Sequence, residues 1–127
     1  MTRPLICVIE DYADSRVLIT TVLSRAGMDV ITAEDGRALD ALLAAGRDPS
    51  LFLIDLSLPG ENGTSILRRL RSDQRYKATP MVALTAHAMA GDREKAIDVG
   101  CNDYDTKPVE ISRLLGKIAA LLKPITG

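Results

Sequence analysis

The sequence predicts an α/β domain in which a parallel sheet carries helices on both faces. Two observations favour this fold class: short apolar runs alternate regularly with longer stretches of helical periodicity, and most of the apolar runs are continuous. A continuous apolar run is typical of a strand buried on both faces, as in a parallel sheet. Right-handed crossovers between such strands place every strand-to-helix loop at one edge of the sheet.

Each predicted element rests on a local pattern. Apolar or β-branched runs predict strands at residues 5–9, 29–33, 51–54, 81–84 and, in more polar form, 103–106. Helical spacing of apolar residues predicts helices at residues 14–26, 36–45, 64–71, 86–99 and 111–122. Glycine follows several of these helices, as is common beyond a helix C-terminus.

Two of the predicted helices have distinctive side-chain patterns. In the first helix, the apolar positions are Val17, Leu18, Val22 and Leu23. In the third, the basic run 68–71 is interpreted as a solvated face with only its leucine turned inward.

Composition excludes several function classes. The chain has 127 residues, enough for one domain, with 16 basic and 17 acidic side chains. A net charge of −1, three Tyr, one Phe and no Trp make a nucleic-acid partner unexpected. No apolar run approaches the length of a membrane span, and the N-terminus lacks a signal-peptide pattern. We therefore expect a cytoplasmic protein without a membrane partner, whose Cys7 and Cys101 are buried, reduced thiols.

Polar side chains follow four of the predicted strands. Glu10 and Asp11 come after the first strand, Asp55 after the third, Thr85 after the fourth and Lys107 after the fifth. Ligands of parallel sheets bind at this edge. Three carboxylates in one pocket repel each other and require a cation, and Mg²⁺ prefers such oxygen ligands. Aspartate is also a known phosphoryl acceptor, and an ammonium, a hydroxyl and Mg²⁺ would neutralise the incoming phosphoryl oxygens.

These motifs resemble the receiver domain of bacterial two-component response regulators. The resemblance rests on Glu10-Asp11, the segment 55–63, Thr85-Ala86 and Lys107-Pro108, which occur in that order, and it covers essentially the whole chain. It implies a flavodoxin-like, doubly wound (βα)5 fold with strand order 2-1-3-4-5. It also implies a single receiver domain over residues 1–127, without an effector domain, and a cis peptide bond before Pro108.

The resemblance assigns a role to each residue at the site. Asp55 would be the phosphoacceptor. Glu10, Asp11 and Asp55 would hold Mg²⁺, with the backbone carbonyl of Ser57 as a further ligand. Glu stands at the first acidic position where Asp is more common, and its longer reach favours a contact through water. Lys107 would pair with the phosphoryl group.

Four residues would transmit or time the signal. Thr85 and Tyr104 fall on the family's switch positions. Ser57 and His87 fall where receivers vary and where dephosphorylation is tuned.

The function implied is a phosphorylation-dependent switch. A histidine kinase or phosphotransfer protein would donate the phosphoryl group, and the receiver would catalyse its own phosphorylation and dephosphorylation without being a conventional enzyme. The fourth helix, fifth strand and fifth helix would contact a downstream protein, in a monomer or a phosphorylation-dependent dimer. The alternative is a receiver module excised from a hybrid kinase or a larger regulator.

Two other classes fit the sequence less well. A phosphohydrolase of this chemistry would need a second Asp where Ser57 stands. A flavodoxin-like electron carrier would need a hydroxyl- and glycine-rich phosphate loop after the first strand, but residues 10–14 are acidic there.

Overall fold

The strands and helices alternate along the chain. The structure is a computed structural model that describes residues 3–56, 63–86 and 92–122. The strands are β1 (Leu5–Ile9), β2 (Asp29–Ala33), β3 (Leu51–Asp55), β4 (Met81–Thr85) and β5 (Asp103–Thr106). The helices are α1 (Ala13–Arg25), α2 (Gly36–Ala44), α3 (Gly63–Arg71), α4 (Asp92–Val99) and α5 (Ile111–Leu122), with a short 3-10 helix at Gln74–Tyr76.

The sheet is parallel throughout and its strand order is β2-β1-β3-β4-β5, which confirms the predicted topology. The register aligns the carboxyl ends of the central strands. Asp55 lies opposite Leu84, and Thr85 lies opposite Thr106. The strand-to-helix loops consequently share one edge of the sheet.

Apolar residues on the two faces of the sheet form two cores. Phe52 and Ile54 point toward α2, α3 and α4, where the rings of Phe52 and Tyr76 make an edge-to-face contact with centroids 5.2 Å apart. Leu53 and Leu84 point toward α1 and α5. Removal of these side chains from water is the main stabilisation of the fold.

The apolar positions that predict α1 are only partly buried. Val17 and Leu18 are 66% and 52% exposed, whereas Ile19 and Leu23 are buried against the sheet. Helical spacing therefore identified Leu23 but not Ile19, which lies one turn earlier on the same face and in the same core.

The basic run of α3 is only partly a solvated face, which corrects the prediction. Arg68 and Arg69 are exposed, and Arg69 pairs with Asp40 at 2.7 Å. Arg71 is partly buried and ties the end of α3 to two loops. Its guanidinium donates to the carbonyl oxygens of Tyr76, Lys77, Thr79 and Gly100 and to Oδ1 of Asn102.

Three other expectations have clear outcomes. Ala86 lies in a bend, so the predicted start of the fourth helix is wrong at that residue, and residues 87–91 lie outside the described part of the chain. Cys7 and Cys101 are buried thiols, as predicted, and burial raises the pKa of Cys7 to about 12. The Lys107–Pro108 peptide bond is cis. Within the described ranges, none of the helices is long and apolar enough to cross a membrane.

Candidate functional site

The polar residues predicted at the strand ends converge at the carboxyl edge of the sheet. Carboxylate oxygens of Glu10, Asp11 and Asp55 lie within 4.8 Å of one another. Lys107, which follows β5, reaches the same cluster, and its backbone N–H donates to the Thr85 carbonyl at 2.8 Å. Parallel register of β1, β3, β4 and β5 is what brings these distant sequence positions together.

Among the described residues, Lys107 supplies a cation to this cluster. Its Nζ donates to both carboxylate oxygens of Glu10 at 2.8 Å and to Oδ2 of Asp55 at 3.0 Å. Glu10 is 0% exposed and Asp55 is 2% exposed. Carboxylates this deeply buried require a charged partner, and one ammonium serves both of them.

The protonation equilibria reflect this shared ammonium. Burial, followed by hydrogen bonding with Asp55, raises the pKa of Glu10 to about 7, and the hydrogen bond from Lys107 only partly opposes this rise. Burial lowers the pKa of Lys107, but its hydrogen bonds to Glu10 and Asp55 outweigh burial and raise that pKa above the ordinary lysine value. The ammonium of Lys107 therefore does not fully offset the burial of Glu10 and its contact with Asp55.

The donor set fits a hard divalent cation. All three acidic side chains offer oxygen, which Mg²⁺ prefers, and one or two carboxylates with several waters is its usual protein environment. Asp11 is exposed while Glu10 and Asp55 are buried, so the cluster opens to solvent on the Asp11 side.

The loop that carries Glu10 and Asp11 is held by a residue that sequence reasoning missed. Nη1 of Arg16 donates to the carbonyl oxygens of both Glu10 and Asp11, at 2.9 Å each. The backbone N–H of Glu10 donates to the carbonyl of Ala33 on β2 at 2.9 Å. The sequence feature that could have identified Arg16 is its position as a basic residue one turn into the helix that follows the acidic pair.

Gly63 is a second residue that the sequence reasoning did not assign to the site. It begins α3 and is buried against the end of β3. A Cβ added there would collide with the backbone carbonyl of Asp55 and with the backbone of Leu56. Only glycine lets α3 approach the phosphoacceptor candidate this closely.

The remaining predicted site residues have mixed outcomes. Thr85 and Tyr104 are buried at neighbouring strands, and Tyr104 packs in the core beneath α3 and α4. Their switch roles remain predictions. Ser57 and His87 lie outside the described residues. A further buried acid, Asp105, accepts from Arg113 of α5 at 2.8 Å and was not predicted.

The fold and the site together define a receiver-type α/β domain with an acidic pocket at the carboxyl edge of its sheet. The family model described as response regulator receiver domain matches residues 6–119. The chain therefore belongs to the response regulator receiver domain family. Receiver domains are signalling proteins of two-component systems rather than conventional enzymes. The predicted family, fold and strand order are confirmed.

Characterised relatives differ in length. The chain is 37% identical over 120 residues to the DNA-binding dual master transcriptional regulator RpaA of a Synechocystis strain, covering 94% of this chain and 49% of that protein. It is 31% identical over 118 residues to the polar-differentiation response regulator DivK of Brucella ovis, covering 92% and 94%. The chain thus spans about half the length of the first of these relatives.

A solved structure with the same architecture holds a metal. It is the receiver domain of the sensor histidine kinase PA1611 of Pseudomonas aeruginosa, with a magnesium ion coordinated in its active site cleft. The TM-score is 0.83 at 30% identity, and the alignment covers 95% of this chain and 98% of that one.

Proposed function

We propose that the chain is a phosphorylation-dependent signalling switch whose phosphoacceptor is Asp55. The observation that carries the proposal is the placement of Asp55 at the end of the central strand β3, inside a carboxylate cluster and 3.0 Å from the Lys107 ammonium. A nucleophile for phosphoryl transfer needs a cation beside it to offset the charge of the arriving group.

The chemistry follows from the side chains. A carboxylate oxygen of Asp55 attacks the phosphorus of the donor, the bond from phosphorus to the leaving group breaks, and a mixed anhydride forms. Lys107 balances charge on the phosphoryl oxygens, and the Thr85 hydroxyl donates a hydrogen bond to one of them. The receiver catalyses this step and the later loss of the phosphoryl group, at a lifetime tuned by Ser57 and His87.

Mg²⁺ is the proposed cofactor. Glu10, Asp11 and Asp55 would hold it, with the Ser57 carbonyl as a further ligand and Glu10 acting directly or through water. When bound, it supplies positive charge to the phosphoryl oxygens. The acidic donor set and the magnesium ion in the similar PA1611 receiver support this assignment.

The phosphoryl donor is proposed to be a histidine kinase or phosphotransfer protein. Exposed apolar side chains lie on the elements that flank the acidic loop and the turn after β5: Tyr12, Val17, Leu18 and Ile111. Leu18 and Ile111 line one groove between α1 and α5, and exposed apolar side chains near a reactive site favour docking of a protein over a small molecule alone.

The output is proposed to pass through α4, β5 and α5. Thr85 and Tyr104, on adjacent strands β4 and β5, would couple the phosphoryl group to that surface, where a downstream protein binds. The domain would act in the cytoplasm, as a monomer or a phosphorylation-dependent dimer, without contacting nucleic acid itself. It acts as a single receiver over residues 1–127 or, alternatively, as the receiver of a hybrid kinase or larger regulator.

Intact mass spectrometry tests the core of the proposal. Wild type, Asp55→Asn and the exposed-site control Asp48→Asn are incubated with acetyl phosphate, with and without Mg²⁺. We expect a Mg²⁺-dependent gain of one phosphoryl group in wild type and Asp48→Asn, and none in Asp55→Asn. A phosphoryl gain that persists in Asp55→Asn, or its absence from wild type, contradicts the proposal.

A further inference from the structure

The side chain of Arg16 donates hydrogen bonds to the backbone of the acidic loop. Arg16 follows the acidic pair closely in the sequence, and its Nη1 donates to two successive backbone carbonyls, those of Glu10 and Asp11, at 2.9 Å each. Both acceptors belong to the peptide groups that carry the acidic pair. The bonds join the loop to the first turns of α1, a rigid element.

These bonds restrain the backbone from which the Glu10 and Asp11 side chains extend. Glu10 is restrained on both sides, since its N–H donates to Ala33 and its carbonyl accepts from Arg16. The Asp11 side chain is exposed, so packing does little to orient it and the direction of its Cα–Cβ bond depends on the backbone. The N-cap residue of α1, Tyr12, makes no side-chain capping bond, and its hydroxyl donates to Asp14 at 3.1 Å instead.

The acceptor type also matters for binding. A guanidinium paired with the carboxylates would compete with a cation for the same oxygens. A guanidinium bonded to the carbonyls orients those carboxylates and leaves their oxygens to the cation. Outer groups that orient ligand residues typically change metal affinity by about 10–100-fold when removed.

We propose that Arg16 is the positioning residue of the Mg²⁺ site: it fixes the Glu10–Asp11 backbone so that the Asp11 carboxylate faces the cation. This inference rests on the proposed function, since it concerns the cofactor of the same site. It predicts that Arg16 acts on metal affinity without touching the metal or the phosphoryl group.

The test measures Mg²⁺ dissociation constants by isothermal titration calorimetry, at a temperature where urea titrations show every variant to be folded. The variants are Arg16→Ala, Arg16→Lys and Arg25→Ala; the last removes an exposed arginine of the same helix. We expect Arg16→Ala to weaken Mg²⁺ binding about tenfold, Arg16→Lys about threefold and Arg25→Ala less than twofold. Saturating Mg²⁺ should restore the phosphorylation rate of Arg16→Ala with acetyl phosphate.

Each result either supports the positioning role of Arg16 or overturns it. A dissociation constant for Arg16→Ala within twofold of wild type overturns it, whatever that variant's stability. If Arg16→Ala does not fold, Arg16→Lys decides: weakening near threefold supports the role and a wild-type value overturns it. If wild type itself binds no Mg²⁺ at millimolar concentration, both the cofactor assignment and this inference fail.

Discussion

Glu10 makes folding stability sensitive to pH. Its carboxyl has an ordinary pKa of 4.5 and a pKa of about 7 in the folded protein. Between these values the unfolded chain has released the proton and the folded chain retains it, so stability falls as pH rises. Below pH 4.5 the effect is absent, and above about pH 7 it is complete.

Urea unfolding in chelator-containing buffer measures this effect. From pH 5 to pH 8, wild type should lose about 2 kcal/mol more unfolding free energy than Glu10→Gln, which has no proton to release. Glu34→Gln, at an exposed glutamate, should keep the wild-type difference between the two pH values. Equal pH dependence of wild type and Glu10→Gln would show that burial does not hold this proton.

At the residue scale, the sequence predicts which side chains meet but not how they pair. Glu10, Asp55 and Lys107 were predictable because parallel strands end at one edge. Their sharing of a single ammonium was not, since it depends on rotamers and burial that no spacing encodes. Arg16 was not predicted for a related reason: its hydrogen-bond partners are backbone carbonyls, which every residue has.

At the element scale, the close approach of α3 to β3 depends on the absence of a Cβ atom at Gly63. A Cβ at position 63 would meet backbone atoms of Asp55 and Leu56, which cannot rotate away. Gly63→Ala should therefore shift α3 or the end of β3, lower the unfolding free energy by about 2 kcal/mol and slow phosphorylation by acetyl phosphate.

The matched control is Gly116→Ala in α5, where an added Cβ meets no atom within 4 Å. Alanine is the better helix former, so this change should stabilise the protein by up to about 1 kcal/mol and leave the phosphorylation rate unchanged. Urea unfolding and rates of mass gain are the readouts. If Gly63→Ala had the stability and the phosphorylation rate of wild type, the close approach of α3 to β3 would have no role at the site.

The predicted bounds of β1, β2 and β5 agree with the structure, whereas β3 and β4 each extend one residue further, to Asp55 and Thr85. The burial of individual side chains was less predictable, because tertiary contacts determine it. The buried side of α1 depends on which residues meet the sheet, and Arg71 is drawn inward by loop carbonyls that lie near it only after folding.

At the scale of the whole molecule, the topology follows from few requirements. Continuous apolar strands must be covered on both faces, and right-handed crossovers then limit the possible orders. The particular order β2-β1-β3-β4-β5 came from the family resemblance, because alternation alone permits other arrangements. The two helical layers also separate two exposed surfaces, α1 with α5 on one face and α4 on the other.

That separation allows the donor-docking surface to be tested apart from the chemistry. Val17 is 66% exposed on α1, and Ile97 is 38% exposed on α4, on the opposite face of the sheet. Val17→Asp should slow transfer from a phosphorylated histidine kinase or phosphotransfer domain, chosen as the fastest donor to wild type in a panel, by about tenfold. This corresponds to about 1.4 kcal/mol of lost apolar contact and new desolvation.

Acetyl phosphate needs no docking surface, so its rate with Val17→Asp should equal that of wild type. Ile97→Asp introduces the same charge at a residue outside the proposed docking surface and should leave transfer from the protein donor within twofold of wild type. Rapid-quench transfer assays with the labelled donor, paired with mass gain from acetyl phosphate, separate the two steps. Equal slowing by Val17→Asp and Ile97→Asp would indicate a nonspecific charge effect, and slowing of the acetyl phosphate reaction would place Val17 in the chemistry instead of the docking.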